Sequence, residues 1–205
     1  MNIDARLVKS LRDKTGAGMM DCKRALLESE GDIENAIDYL RKSGITKAEK
    51  KGSRETKEGV IYSYIHAGGR LGVLIELNCE TDFVAKTDGF KELAHNISMQ
   101  IAATNPIAID KDFVDKRVIS KEKEIYTEQA KSEGKPDNII EKMVEGRIQK
   151  FFQESCLMQQ TYIKDSDKKV ADLFNETIAT LGENISINRF SRFSIGDSTP
   201  NDQQI

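Results

Sequence analysis

Apolar residues recur at helical spacing in the first 45 positions. Leu7, Val8 and Leu11 follow Asp4, a residue type that caps helices, and the pattern breaks at Gly16. A second stripe, Cys22, Ala25 and Leu26, runs from Met19 to Glu30 and stops at Gly31. Asp32 then opens a third, with Ile33, Ala36, Ile37 and Leu40, which ends at Gly44. Three short helices in this span predict a small bundle over 1–45. The period changes at Val60-Ile61-Tyr62-Ser63-Tyr64-Ile65, rich in β-branched and aromatic residues. Gly68-Gly69 marks a turn and Leu71–Leu77 a return strand, a hairpin. Thr81 or Asp82 can cap the next helix, whose face is Phe90, Leu93, Ala94, Ile97, Ile101 and Ala102 and which runs to Pro106.

Two charged helical stretches cover 115–155, separated by Gly134-Lys135-Pro136. Val114, Val118, Ile125 and Ala130 would face Ile139, Ile140, Met143, Ile148 and Phe151. So thin a stripe suits an antiparallel helical hairpin. Cys156–Ile163 reads as a strand, and Val170, Leu173, Phe174, Ile178 and Leu181 as a helix ended by Gly182. Ile185–Phe193 alternates as a last strand. The fold expected is α+β: a three-helix bundle over 1–45, a basic linker over 46–57, an antiparallel-sheet core with packed helices and the inserted helical hairpin over 58–197, and a polar, flexible tail over 198–205.

Composition narrows the class. The 31 Lys+Arg stand against 34 Asp+Glu, a formal charge of −3, which lowers the rank of nucleic-acid binding through phosphate neutralisation. Locally, Lys47, Lys50, Lys51, Arg54 and Lys57 outnumber Glu49 and Glu55. This segment reads as a solvated hinge, or as a contact for an acidic partner or RNA. No apolar run approaches the roughly 20 residues needed to span a bilayer. The start, Met1–Arg6, carries no secretory or transit pattern. Cys22, Cys79 and Cys156 are dispersed, without disulfide or zinc spacing. Reduced thiols in the cytoplasm are the simplest reading.

The chemistry-bearing residues form no catalytic constellation, and no metal site or cofactor is expected. His66 and His95 lack paired metal spacing, and each reads as solvated or satisfied. Cys22 and Cys79 could act as nucleophiles only with a spatial His partner; small apolar packing residues are the plainer reading of both. Gly16-Ala17-Gly18-Met19-Met20-Asp21 has Asp21 where a dinucleotide fingerprint needs its third glycine, and no GxxxxGK[ST] exists. Two segments stand out instead. Adjacent Met19 and Met20 at a helix start cannot both face inward, so at least one is exposed unless the loop covers both. Thr81-Asp82-Phe83-Val84-Ala85-Lys86 follows a strand; Phe83 is either core beside an Asp82 cap or a group presented at a loop.

These two segments carry a resemblance. Leu11-Arg12-Asp13-Lys14-Thr15-Gly16-Ala17-Gly18-Met19-Met20-Asp21-Cys22-Lys23-Arg24-Ala25-Leu26 is similar to the N-terminal signature of the elongation factor Ts family. Glu76-Leu77-Asn78-Cys79-Glu80-Thr81-Asp82-Phe83-Val84-Ala85-Lys86 resembles its second signature, and Gly134–Arg147 its coiled-coil hairpin. The resemblance covers nearly the whole chain in the family's order. It implies a guanine-nucleotide exchange factor, not an enzyme, whose partner is the GTPase elongation factor Tu. The bundle would be ubiquitin-associated-like, with Leu11, Arg12, Met19 and Met20 as partner contacts. Thr81, Asp82, Phe83 and Val84 would be the intrusion element, its Phe wedging near the magnesium side of the partner's nucleotide pocket. Many family members carry two copies of the sheet subdomain; this chain holds one hairpin and resembles the short form. A symmetric pair of short chains could recreate both surfaces, so a homodimer is expected, through the last strand or the helical hairpin.

Three rivals come from other classes: a non-catalytic adaptor using the bundle and helical hairpin as docking surfaces, a thiol enzyme built on Cys79 and His66, and an RNA binder using 47–57.

Overall fold

Three helices open the computed structural model, which describes residues 3–197: α1 (Ala5–Thr15), α2 (Met19–Glu28) and α3 (Ile33–Lys51). Asp4 and Asp32 cap α1 and α3. Their carboxylates accept the backbone N–H of Arg6 at 2.9 Å and of Asn35 at 2.8 Å. Gly16 ends α1 at φ 67°, in the left-handed region that glycine enters without a Cβ penalty. The bundle encloses its own core of Val8, Leu11, Cys22, Ala25, Leu26 and Ala36.

The third helix does not stop at Gly44, and the linker expected over 46–57 is helical as far as Lys51. Gly16 and Gly31 follow their helices in left-handed backbone, a frequent glycine stop that Gly44 does not adopt. Gly44 is buried, and a Cβ there would lie 3.6 Å from that of Ala179, on helix α8 (Val170–Leu181). Ala48 is buried one turn later, and Lys47 pairs with Asp21 at 2.7 Å, which ties the extra turns back to α2. Arg41 pairs with Asp172 of α8 at 2.7 Å.

The hairpin forms as expected, from β1 (Glu58–Ile65) and β2 (Leu71–Cys79), and the three-stranded sheet has the order β1-β2-β5, with β5 spanning Ile185–Ser194. His66 N–H donates to the Leu71 carbonyl at 2.8 Å across Gly68 and Gly69, both left-handed. Gly59 sits at φ 151° with the Leu77 carbonyl so close that no Cβ fits, so β1 requires glycine there. Val73, Ile75, Leu77 and Cys79 alternate into the interior from β2.

The helix expected after Thr81 is two: α4 (Asp82–Ala85) and α5 (Asp88–Thr104). Thr87 makes the break. Its hydroxyl donates to the Val84 carbonyl at 2.7 Å and accepts from Phe90 N–H at 3.3 Å. The helical hairpin is α6 (Lys116–Ser132) and α7 (Asp137–Ser155), parted at Gly134 as expected. Its seam keeps much of the expected one: Val114, Ala130, Ile140 and Ile148 are buried, and Met143 and Phe151 partly so. Val118, Ile125 and Ile139 are instead exposed, and buried Phe152 with partly buried Ile119, Tyr126 and Val144 takes their place. Arg147 lies 5.8 Å from the Tyr126 ring centre and donates to Gln129 at 2.6 Å, closing the seam.

The strand expected over Cys156–Ile163 is a single 3-10 turn, Leu157–Gln159, then a two-residue strand β3 (Thr161–Tyr162) pairing antiparallel with β4 (Asp165–Lys169). Consecutive Cys156 and Leu157 are both fully buried, which an alternating strand cannot do. Buried Gln160 is held by amide bonds: its side-chain oxygen accepts from Gln100 at 3.0 Å, and its NH2 donates to the Glu154 carbonyl at 2.8 Å.

The chain forms two compact units. Among the described residues, one comprises 3–62, 76–95 and 172–188, and the other comprises 63–75, 96–171 and 189–197. The polar tail expected from Ser198 lies outside the described residues.

Candidate functional site

β2 ends at buried Cys79, and the chain turns at Glu80 and Thr81 into the four-residue α4. Thr81 is extended (φ −130°, ψ 154°), and its hydroxyl accepts Val84 N–H at 3.5 Å. The same hydroxyl donates to one Glu183 carboxylate oxygen at 2.6 Å, and Thr81 N–H donates to the other at 2.9 Å. In return, Asn184 N–H donates to the Glu80 carboxylate at 2.6 Å, and the buried Asn184 side chain donates to the Arg54 carbonyl at 2.8 Å. Two loops a hundred residues apart thus hold each other through paired side-chain and backbone bonds. Cys79 Sγ–H donates to the Thr81 carbonyl at 3.1 Å from below.

Above this clasp, Val84 and Ala85 anchor α4 in the interior, and Phe83 stands 79% exposed. A lone exposed apolar residue is ordinary. A phenyl ring at the apex of a short helix pinned at both ends is a group held outward by design of the backbone. The core reading of Phe83 is therefore corrected: α4 turns Val84 inward and Phe83 outward. Asp82 is also exposed and bonds Lys86 at 2.6 Å, which holds its carboxyl below the usual carboxylate range.

The second segment divides. Arg12, Met19 and Met20 are exposed, Met20 at 69%. Leu11 is not a surface residue: it is 0% exposed, at the centre of the bundle core, because it shares the inward face of α1 with Val8. A side chain with no accessible area touches no partner, so Leu11 supports the surface from beneath. Leu27, on α2 and 41% exposed, adds an apolar group that the sequence did not single out.

Both segments belong to one compact unit. Within it, α8 lies against the bundle through Ala179 and Asp172, and the residues just past its end, Glu183 and Asn184, hold the Thr81 corner. Glu183 was not legible beforehand: an acid after a helix-ending glycine looks like any solvated loop residue.

Cys79 and Cys156 are poorly set for nucleophilic chemistry. Burial pushes the Cys79 and Cys156 thiols up to about 11, far from the thiolate a nucleophile needs. The one Cys79 S–H is spent on a carbonyl, and His66 Nδ1 lies 2.9 Å from the Tyr64 hydroxyl. In the basic segment Lys47, Arg54 and Lys57 pair with Asp21, Glu80 and Glu55. Among the described residues no helix is long and apolar enough to cross a membrane.

The comparisons with known proteins agree with one another. A family model described as "Elongation factor TS" matches residues 45–197. Among curated proteins, the chain is 60% identical over 195 residues to the Elongation factor Ts of Syntrophomonas wolfei, covering 95% of this chain and 91% of that one. It is 56% identical over 197 residues to that of Thermotoga maritima, covering 96% and 98%. The Elongation factor Ts of Moorella thermoacetica is 54% identical over 195 residues, covering 95% and 96%.

Proposed function

Since the chain belongs to the elongation factor Ts family and serves as a guanine-nucleotide exchange factor in translation elongation, we propose that it binds the GTPase elongation factor Tu and drives GDP release by inserting Phe83 beside the magnesium-binding region of the partner's nucleotide pocket. The observation that carries this reading is the clamped α4 with its exposed ring. An exchange factor must bind the nucleotide-free partner more tightly than the loaded one, and by reciprocity nucleotide then weakens the factor by the same ratio. A factor with equal affinity for both states shifts nothing. A rigid apolar wedge supplies the difference. It finds a cavity only where a partner helix or loop has moved, and movement there loosens the hard oxygen ligands of the cation. No covalent bond changes, so the chain is not an enzyme. It works in the cytoplasm, where elongation runs.

Arg12, Met19 and Met20 are the second contact in this reading, on a ubiquitin-associated-like bundle over 1–45 that precedes an exchange core over 58–197. The test is release of a fluorescent GDP analogue from elongation factor Tu on mixing with the chain. Acceleration is expected; binding without acceleration would leave the adaptor reading in its place.

Pairing with a second copy is a further part of the proposal. Ile65, Leu74, Phe193 and Ile195 are exposed around one groove of about 880 Å³ in the unit that holds β5's end. Sedimentation at micromolar concentration is expected to give a dimer, and Phe193→Glu a monomer. A native chain that sediments as a monomer contradicts the pairing.

A further inference from the structure

We propose that Glu183 is the positioning residue of the Phe83 wedge, a role that rests on the exchange reading above. Phe83 and Asp82 are held through their neighbours: Phe83 is open to solvent, and exposed Asp82 bonds exposed Lys86. The N-terminal end of α4 is set by its cap Thr81 together with buried Val84. The Thr81 hydroxyl has one proton to give and gives it to Glu183 at 2.6 Å, which leaves its lone pairs for Val84 N–H. A hydroxyl that donates to a carboxylate becomes a better acceptor, so the Glu183 bond favours the long 3.5 Å contact from Val84 N–H, beside the 3.3 Å bond from Ala85 N–H to the Thr81 carbonyl that starts α4. The second carboxylate oxygen takes Thr81 N–H at 2.9 Å. Both bonds are charge-assisted and together define position and orientation, as a single bond would not.

Glu183 itself is set by the elements on either side of it. Gly182 ends α8 at φ 83°, Asn184 is buried and bonded to Arg54, and Ile185 is buried at the start of β5. The carboxylate therefore projects from a fixed backbone onto a corner that has to resist load when the ring is pushed into a partner. It does not fill core volume: Glu183 is partly exposed. Removing the carboxylate loosens the wedge and leaves the contact surface on the bundle untouched. Misplacement by about 1 Å costs reaction steps on the order of a hundred-fold, and a loosened corner falls below that limit.

The experiment uses the full chain, elongation factor Tu loaded with a fluorescent GDP analogue, and a range of factor concentrations, with thermal midpoints measured beside the rates. Glu183→Ala is expected to lower the maximal release rate about ten-fold while the half-saturating concentration stays near native and the midpoint falls by only a few degrees, as the loss of two part-buried bonds requires. Glu183→Gln keeps one acceptor oxygen and is expected to restore most of the lost rate. In a Phe83→Ala background, Glu183→Ala is expected to cause no further loss, because the residue acts through the ring. A native maximal rate for Glu183→Ala overturns the proposal, and so does a further loss in the Phe83→Ala background or a rate loss that only tracks a lowered midpoint. Should Glu183→Ala not fold, Glu183→Gln decides by the same criteria, with a partial fall in maximal rate expected. If Phe83→Ala alone releases GDP as the native chain does, the wedge reading fails first and this proposal with it; a slow Phe83→Ala beside a native Glu183→Ala refutes Glu183 alone.

Discussion

Phe83→Ala slows GDP release by roughly 5- to 150-fold, the span of a coupling free energy of about 1–3 kcal/mol, while the thermal midpoint holds. The two halves of this expectation have separate causes. Phe83 is 79% exposed, so the free chain gains little from it and loses little without it. Alanine is also the better helix former, so α4 is not weakened. In the complex the ring would occupy space that opens only in the nucleotide-free partner. Its loss removes an interaction made in one state and not the other, which is the kind that alters a rate. A stopped-flow trace at saturating factor checks the first half, and a melting curve the second. Native release at native stability would end the wedge reading. A midpoint lowered by many degrees would mean that the ring is packed in solution.

Periodicity reached the elements whose partners are near in sequence. The β1–β2 hairpin follows from Val60–Ile65, Gly68-Gly69 and Leu71–Leu77, and the break between α6 and α7 from Gly134 and Pro136. The Thr81 corner was legible as a strand-to-helix junction because Thr and Asp cap helices wherever they stand. What local pattern could not reach were choices settled by distant residues. Gly44 resembles Gly16 and Gly31 as a letter. Only its neighbour Ala179, far along the chain, shows that it lies inside a packed helix and does not end one. Gln160 breaks a strand because Gln100 sits 60 residues back with an amide to share. Whether Phe83 faced in or out was equally open in the sequence, since its neighbour Val84 serves the core as well as it would. Leu11 stands within a motif that resembles a contact surface, and its burial follows from the phase of α1, which it shares with Val8. Glu183 had no local signal at all, since the residue it holds lies 102 positions away.

Replacing Met19 and Met20 together by lysine is expected to raise the half-saturating concentration of the factor by roughly 30- to 1000-fold and to leave the maximal release rate unchanged. Each methionine is half or more exposed in the free chain, at the start of α2, where Gly18 supplies no side-chain cap. Burying such a side chain against a partner contributes about 1.5–3 kcal/mol at most, and two partly buried ones about 2–4 kcal/mol, which gives the stated range. The maximal rate holds because the wedge at Phe83 is untouched once the complex has formed. The effect is therefore the mirror of Phe83→Ala, which lowers the maximal rate, and the pair of variants separates docking from displacement. Point substitution is the sharper tool here than removal of the bundle. Deleting the residues before Lys47 would cut α3 within its span and strip Gly44 and Arg41 from α8, whose far end carries Glu183. A truncated chain would lose docking and disturb the wedge together. The two methionines have no such load: Leu11, Cys22 and Leu26 carry the bundle core below them, so the double variant keeps its melting midpoint. An unchanged half-saturating concentration would remove Met19 and Met20 from the contact surface.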